Sequence, residues 1–186
     1  STDLEALEKL AVWCHRFSPL VGIDEVQPPE TLLLDVGGVT SLFGGEESLI
    51  GQARRGLQQL RLNVQMGLAS TLGAAWALAH YGCGEAGREH LAIAAPDQPQ
   101  ASIHRLPLAA LRLPARMLET LQRLGLVTIA DLLPLPRVEL KARFGGFLLK
   151  RLDQILDQAP EKIVPVRSAP DFEVEWCFEC PTSHHN

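Results

Sequence analysis

Residues 113–152 read LPARMLETLQRLGLVTIADLLPLPRVELKARFGGFLLKRL, and this stretch decides the fold of the C-terminal half. A helix-forming run ends in L-x-x-L-G at Gly125, and after a small turn Thr128 stands where an N-cap residue is expected. The pattern recurs loosely around ARFGG, which ends at Gly146. The spacing therefore predicts a pair of helical hairpins.

Helical hairpins of this kind can bind nucleic acid without reading its sequence, because N–H groups at a helix N-terminus point at a phosphate. The charge distribution favours this function. The chain of 186 residues has a net charge of −5, yet residues 101–158 carry nine Lys and Arg against five acids. Residues 1–100 carry six Lys and Arg against twelve acids. Hairpins that only pack, with a solvated cationic face, remain the alternative.

The preceding part of the chain alternates strand-like and helical segments, which predicts an α/β layer. TLLLDV at 31–36 is a continuous apolar run, expected to be a strand buried on both faces. Amphipathic helices are expected at 3–17, 46–60 and 70–82, with further strands near 20 and 63–69. Pro96 and Pro99 indicate a boundary, after which the pattern is all-helical. The predicted fold class is α+β.

Three carboxylates are candidates for a metal site. Asp24 and Glu25 are adjacent at the end of one apolar run, and Asp35 closes the next. Such residues can hold a divalent ion when they converge at a strand edge, or they can form a polar turn. The prolines at 28 and 29 predict a turn, which would leave the Asp24–Glu25 pair facing solvent.

The order of these parts resembles the palm and thumb of a Y-family (translesion) DNA polymerase, most closely the ImuB group of polymerase-like mutagenesis proteins. The resemblance rests on LLLDVGG, on GLASTLGAAWALAHY and on the hairpin pair, and it covers nearly the whole chain. It implies a partial palm at 1–96, a helical thumb with helix-hairpin-helix units at 97–165, and a linker with the first strand of a little-finger domain at 166–186.

The family motifs depart from those of active polymerases at two places. Aligning the family's metal-binding strand on Leu34-Asp35-Val36 puts its D-E pair on Glu30 and Thr31. The lysines that the family directs at the triphosphate fall on Leu72 and Trp76. Apolar side chains cannot offset triphosphate charge. The resemblance therefore implies a protein without polymerase activity and without a cofactor. The alternative is an active polymerase that binds magnesium.

The resemblance also indicates which residues contact DNA. The first hairpin has Arg112-Leu113-Pro114 where the family has a glycine-rich turn, and proline removes one N–H donor. The second hairpin keeps an open glycine pair. The expected phosphate contacts are Gly145, Gly146, Lys141, Arg143, Lys150, Arg151, Arg112 and Arg116.

The implied function is a non-catalytic scaffold in DNA-damage-induced mutagenic translesion synthesis in the bacterial cytoplasm, associated with the nucleoid. The implied partners are primer–template DNA, the sliding clamp, an accessory mutagenesis protein and an error-prone polymerase. No leader or membrane span is evident from the sequence. Cys177 and Cys180 precede two histidines, but a strand would turn their side chains to opposite faces, so zinc is not expected. A protein-interaction module without DNA binding is the third hypothesis.

Overall fold

The computed structural model describes residues 2–26, 28–82, 91–94 and 99–166. The order of elements alternates helices and short strands in the first half and is helical in the second. The elements are α1 (Thr2–Cys14), β1 (Leu20–Ile23), β2 (Leu32–Asp35), a 3₁₀ helix (Thr40–Phe43), α2 (Glu46–Gln59), β3 (Met66–Leu68), α3 (Leu72–Tyr81), β4 (Leu91–Ile93), α4 (Pro99–His104), a second 3₁₀ helix (Leu108–Leu111), α5 (Ala115–Arg123), α6 (Ile129–Leu132), α7 (Arg137–Phe144) and α8 (Gly146–Ile155).

The strands form two separate ribbons. β1 and β2 are antiparallel, with Leu20 opposite Asp35 and Ile23 opposite Leu32, whereas β3 and β4 are parallel. A groove of about 1380 Å³ lies between the ribbons, lined by both β2 and β3. The expectation that β2 is buried on both faces is therefore wrong. Its leucines are half-buried, because within the described ranges β2 pairs only with β1 and its other edge borders this groove.

The helices begin and end close to where sequence periodicity and capping residues place them. Thr71 caps α3, since its hydroxyl accepts a hydrogen bond from the N–H of Ala74 at 3.1 Å. Asp131 closes the turn before α6, where its Oδ2 accepts from the N–H groups of Val127 and Thr128 and from the Thr128 hydroxyl. These hydrogen bonds lower the pKa of Asp131.

The main hydrophobic core crosses from the α/β part into the helical part. Ala74, Ala77 and Leu78 of α3 are almost fully buried against leucines of the helical part, among them Leu108 and Leu148. A smaller cluster of Ala11, Cys14 and Val21 joins α1 to the β1–β2 ribbon. The expected domain boundaries at 96/97 and 165/166 stay predictions, but α3 shares its core with the helices that follow.

Residues 160–166 return to the α/β part after α8. Pro165 bridges to Gly22 of β1, and the N–H of Val166 donates to the carbonyl of Val21 at 2.9 Å. The C-terminal end of the helical part is thus tied to the first ribbon. The predicted strand and the Cys177–Cys180 pair lie outside the described residues. In the ranges that the structure describes, no helix is both long and apolar enough to cross a bilayer.

Candidate nucleic-acid interface

The α7–α8 hairpin presents an open helix N-terminus. Gly145 joins the two helices with φ +79°, a conformation that favours glycine, and no side chain caps α8. Gly146 is exposed, and a Cβ built on it meets no atom within 4 Å. The first N–H groups of α8 are therefore accessible to an anion that approaches along the helix axis.

Exposed cations lie along the same hairpin. Lys141 and Arg143 are in the last turn of α7, and Lys150 is in α8. All three are exposed, and none makes an ion pair with a described residue. Arg116 is also exposed, in the first turn of α5, which Pro114 precedes without a side-chain cap. Five of the eight expected phosphate contacts are thus exposed on the α7–α8 hairpin with no ion pair to a described residue, and Arg116 is exposed in the same way on the first hairpin.

Arg112 and Arg151 are placed differently: their contact with phosphate stays a prediction, and in the structure their guanidinium groups pair with an internal carboxylate. Arg112 is only 7% exposed, and its Nη2 donates to both carboxylate oxygens of Glu161 at 2.7 and 2.8 Å. Arg151 donates to the same carboxylate at 2.7 Å. Both guanidinium groups are occupied by an internal carboxylate. Burial lowers the pKa of Arg112, and the charge of Glu161 opposes that shift.

Asp24 belongs to the same buried cluster, so the expectation that it faces solvent is wrong. Its side chain is 6% exposed and accepts a hydrogen bond from the indole N–H of Trp76 at 2.7 Å. The guanidinium of Arg112 lies 3.8 Å away from its other oxygen. Glu25, by contrast, is exposed as expected. A buried carboxylate is held here by an indole and a guanidinium, which are hydrogen-bond donors and not metal ligands.

The register of the first ribbon separates the candidate metal ligands. The N–H of Asp24 pairs with the carbonyl of Thr31, whereas Asp35 is opposite Leu20 at the other end of the ribbon. Four strand residues separate these ends, which corresponds to about 13 Å. Within the described ranges, no group of three His, Cys, Asp or Glu side chains could hold a metal ion. Asp24 and Asp35 therefore do not converge.

Trp76 and His80 form a stacked pair beside Asp24. Their ring centroids are 3.9 Å apart, and His80 Nε2 lies 3.0 Å from the hydroxyl of Thr31. Burial lowers the pKa of His80 below its ordinary value, against the opposing charges of Glu30 and Asp24. Trp76 is the residue that aligns with one of the family's lysines. An indole, stacked on the His80 imidazole, therefore stands where the family has a cation.

Comparison with solved structures shows a protein of similar fold. The structure is similar to that of DinB from Sulfolobus solfataricus with a TM-score of 0.65 and 20% identity, over 86% of this chain and 46% of that chain. The fold is thus similar to that of DinB, and the predicted α+β class is confirmed.

Sequence comparison finds relatives of higher identity than this solved structure. Protein ImuB of two strains of Caulobacter vibrioides is 41% identical over 183 residues, which is 98% of this chain. The expected resemblance to the ImuB group is therefore confirmed. The chain spans 38% of the length of these relatives. No family model matches the chain.

The amino-acid sequence alone does not predict the buried cluster of Asp24, Trp76, Arg112 and Glu161. Asp24 and Trp76 are 52 positions apart, and Arg112 and Glu161 are 49 apart. No local periodicity links such distant positions. The one available signal was the tryptophan at a position where the family carries lysine, because a buried indole N–H normally needs an acceptor.

Proposed function

We propose that the protein is a non-catalytic, polymerase-like scaffold that acts in DNA-damage-induced mutagenic translesion synthesis and binds DNA through its helical hairpins. The similarity to ImuB and the DinB-like fold support a polymerase-like role in mutagenesis. The absence of nucleotidyl transfer and the binding of DNA are parts of the proposal that experiments must test.

The observation that carries the non-catalytic part is the bonding of Asp24. Nucleotidyl transfer needs carboxylates that converge on divalent ions and cations that offset the triphosphate. Here Asp24 is engaged by Trp76 and Arg112 at one end of the ribbon, and Asp35 is at the other end. Trp76 thus occupies a position expected for a triphosphate contact and directs its donor at a carboxylate.

Primer extension tests this part. The full-length protein is incubated with primer–template DNA, Mg²⁺ and all four nucleotides, beside an active Y-family polymerase as the positive control. We expect no extended product. Incorporation of a single nucleotide by the full-length protein, abolished by substitution of Asp35, would favour the active-polymerase alternative instead.

The DNA-binding part rests on the α7–α8 hairpin. Lys141, Arg143 and Lys150 are exposed and make no ion pair with a described residue, and they flank the open backbone at Gly145–Gly146. Backbone N–H groups at a helix N-terminus with adjacent cations are a common arrangement for sequence-independent phosphate contact. Arg116 adds a cation at the first hairpin.

Salt-dependent binding separates this proposal from a hairpin pair that only packs. We expect the variant with alanine at Lys141, Arg143 and Lys150 to lose affinity for primer–template DNA, with a salt slope smaller by about two to three. The control replaces three cations of the α/β part, Lys9, Arg54 and Arg61, and should leave the slope unchanged. Equal slopes for both triple variants would contradict phosphate contact by this hairpin.

The wider partners follow from the ImuB similarity and are proposed with it. They are the sliding clamp, an accessory mutagenesis protein and an error-prone polymerase that performs the synthesis. The corresponding location is the bacterial cytoplasm at the nucleoid. Co-purification of these partners with the full-length protein after DNA damage is the direct check.

A further inference from the structure

A second pocket lies on the α/β part, away from the helical hairpins. It has a volume of about 450 Å³ and is bounded by the end of α1, the first 3₁₀ helix and α2. Three aromatic residues form its apolar wall, namely Trp13, Phe17 and Phe43. A volume of this size is enough for one large side chain or a small ligand.

Close packing fixes the shape of this pocket. Trp13 and Phe17 meet edge to face with centroids 5.4 Å apart, and Phe17 and Phe43 are 6.0 Å apart. The Trp13 ring lies directly on the backbone of α2 at Gly56, where an added Cβ would come within 2.7 Å of it. The indole can occupy this place only because residue 56 has no side chain.

The charged lining of the pocket is entirely cationic. Arg16 and Arg55 are exposed, and neither makes an ion pair with a described residue. The other lining side chains are neutral, although residues 1–100 carry twice as many acids as cations. Leu60, which also lines the pocket, is 47% exposed. An apolar pocket framed by two arginines that have no ion pair among the described residues is complementary to an acidic segment with a bulky apolar side chain.

We propose that this aromatic pocket docks an acidic peptide segment of a partner protein, with one large apolar side chain inserted between Trp13 and Phe43. Arg16 and Arg55 bind the flanking carboxylates, where Arg forms charge-assisted hydrogen bonds. The inference is independent of the DNA-binding proposal, since it involves none of the same residues.

A single-stranded nucleic acid is the competing occupant, and the geometry disfavours it. Base recognition needs a free aromatic face on which a base can stack. The Arg16 guanidinium already lies over the Trp13 ring at 4.3 Å, and the Gly56 backbone and Phe17 take up further contacts of the indole.

The test uses the full-length protein and a fluorescein-labelled synthetic peptide, GDEDLFDEDG, followed by fluorescence anisotropy. One control peptide replaces LF by AA, another replaces the acids by glutamine, and a single-stranded oligothymidine is the third probe. The protein variants are Arg55→Glu and the charge-matched Arg54→Glu, one position along α2 and outside the pocket lining. Thermal melts confirm that both variants remain folded.

We expect the acidic peptide to bind with a Kd in the range of about 10–500 µM, typical of a single small docking pocket. Arg55→Glu should weaken binding at least about tenfold, while Arg54→Glu changes it less than about twofold. Both control peptides should bind at least about tenfold more weakly. Absence of binding at about 1 mM peptide, equal effects of the two variants, or equal competition by the oligothymidine would overturn the proposal.

Discussion

At the scale of single residues, the most consequential feature is a buried set of charges that are matched in number. Asp24 and Glu161 face Arg112 and Arg151, and all four side chains are no more than 21% exposed. Buried charges are tolerated only when they are paired and hydrogen-bonded. Glu161 is central, because both guanidinium groups donate to its carboxylate.

Removal of Glu161 should therefore be costly. Glu161→Ala leaves the buried guanidinium of Arg112 without the carboxylate to which its Nη2 donates, and we expect the free energy of unfolding to fall by about 3 kcal/mol or more. Urea denaturation followed by circular dichroism measures this. Glu139→Ala, at an exposed carboxylate without an ion pair to a described residue, is the control and should stay within about 0.5 kcal/mol of the parent. Equal effects of the two substitutions would mean that the cluster contributes little to stability.

His80 gives the protein a pH dependence of known sign. Burial lowers its pKa in the folded protein below the ordinary value of 6.5, so the unfolded chain binds the proton more readily. The corresponding stability is complete above about pH 6.5 and is lost as the pH falls towards the folded pKa. We expect His80→Asn, which keeps a polar partner for Thr31 but cannot titrate, to lose less stability than the parent between pH 7 and 5. Parallel pH curves for the two proteins would contradict this.

At the scale of elements, the α7–α8 junction depends on one glycine and not on its neighbour. Gly145 has φ +79° and ψ 177°, a region in which a Cβ is strained, whereas Gly146 is the first residue of α8 and its added Cβ meets nothing. We expect Gly145→Ala to cost about 1–3 kcal/mol. Gly146→Ala should be neutral or slightly stabilising, because alanine is the better helix former. Denaturant midpoints of the matched pair check this, and similar losses at both positions would count against the local explanation.

Local sequence patterns predicted the helices well and the strand environment poorly. Periodicity and capping residues such as Thr128 act within a few residues, so α2, α3 and α6 begin at or within two residues of the predicted positions. Burial of β2 depends on which strands lie beside it, and its apolar run does not contain that information.

The residues of the candidate interface were likewise predictable only in part. Exposed cations such as Lys141 and Lys150 could be predicted from the charge pattern. The pairing of Arg112 and Arg151 with Glu161 could not be predicted in this way, since Glu161 comes from a distant segment that returns to the first ribbon. Contacts between distant segments are set by the tertiary fold and leave no local signal.

At the scale of the whole molecule, the α/β and helical parts are joined by one core and one ion cluster. α3 packs its alanines among the leucines of the helical part, and Glu161 and Asp24 both contact Arg112. We therefore expect a single cooperative unfolding transition. Far-UV circular dichroism, which reports all helices, and tryptophan fluorescence, which reports Trp13, Trp76 and Trp176, should have coincident midpoints. Separate midpoints would show that the parts unfold independently.

The groove between the two ribbons has a consequence for handling the isolated polypeptide. Along its rims, β2 and β3 each have a side with no ladder partner in the described ranges, so amide and carbonyl groups are left for other molecules to satisfy. Unpaired strand edges can pair with strands of other molecules and so promote aggregation. Concentrated preparations should consequently form soluble aggregates rich in intermolecular β-structure, and static light scattering should rise with concentration while far-UV spectra gain β character.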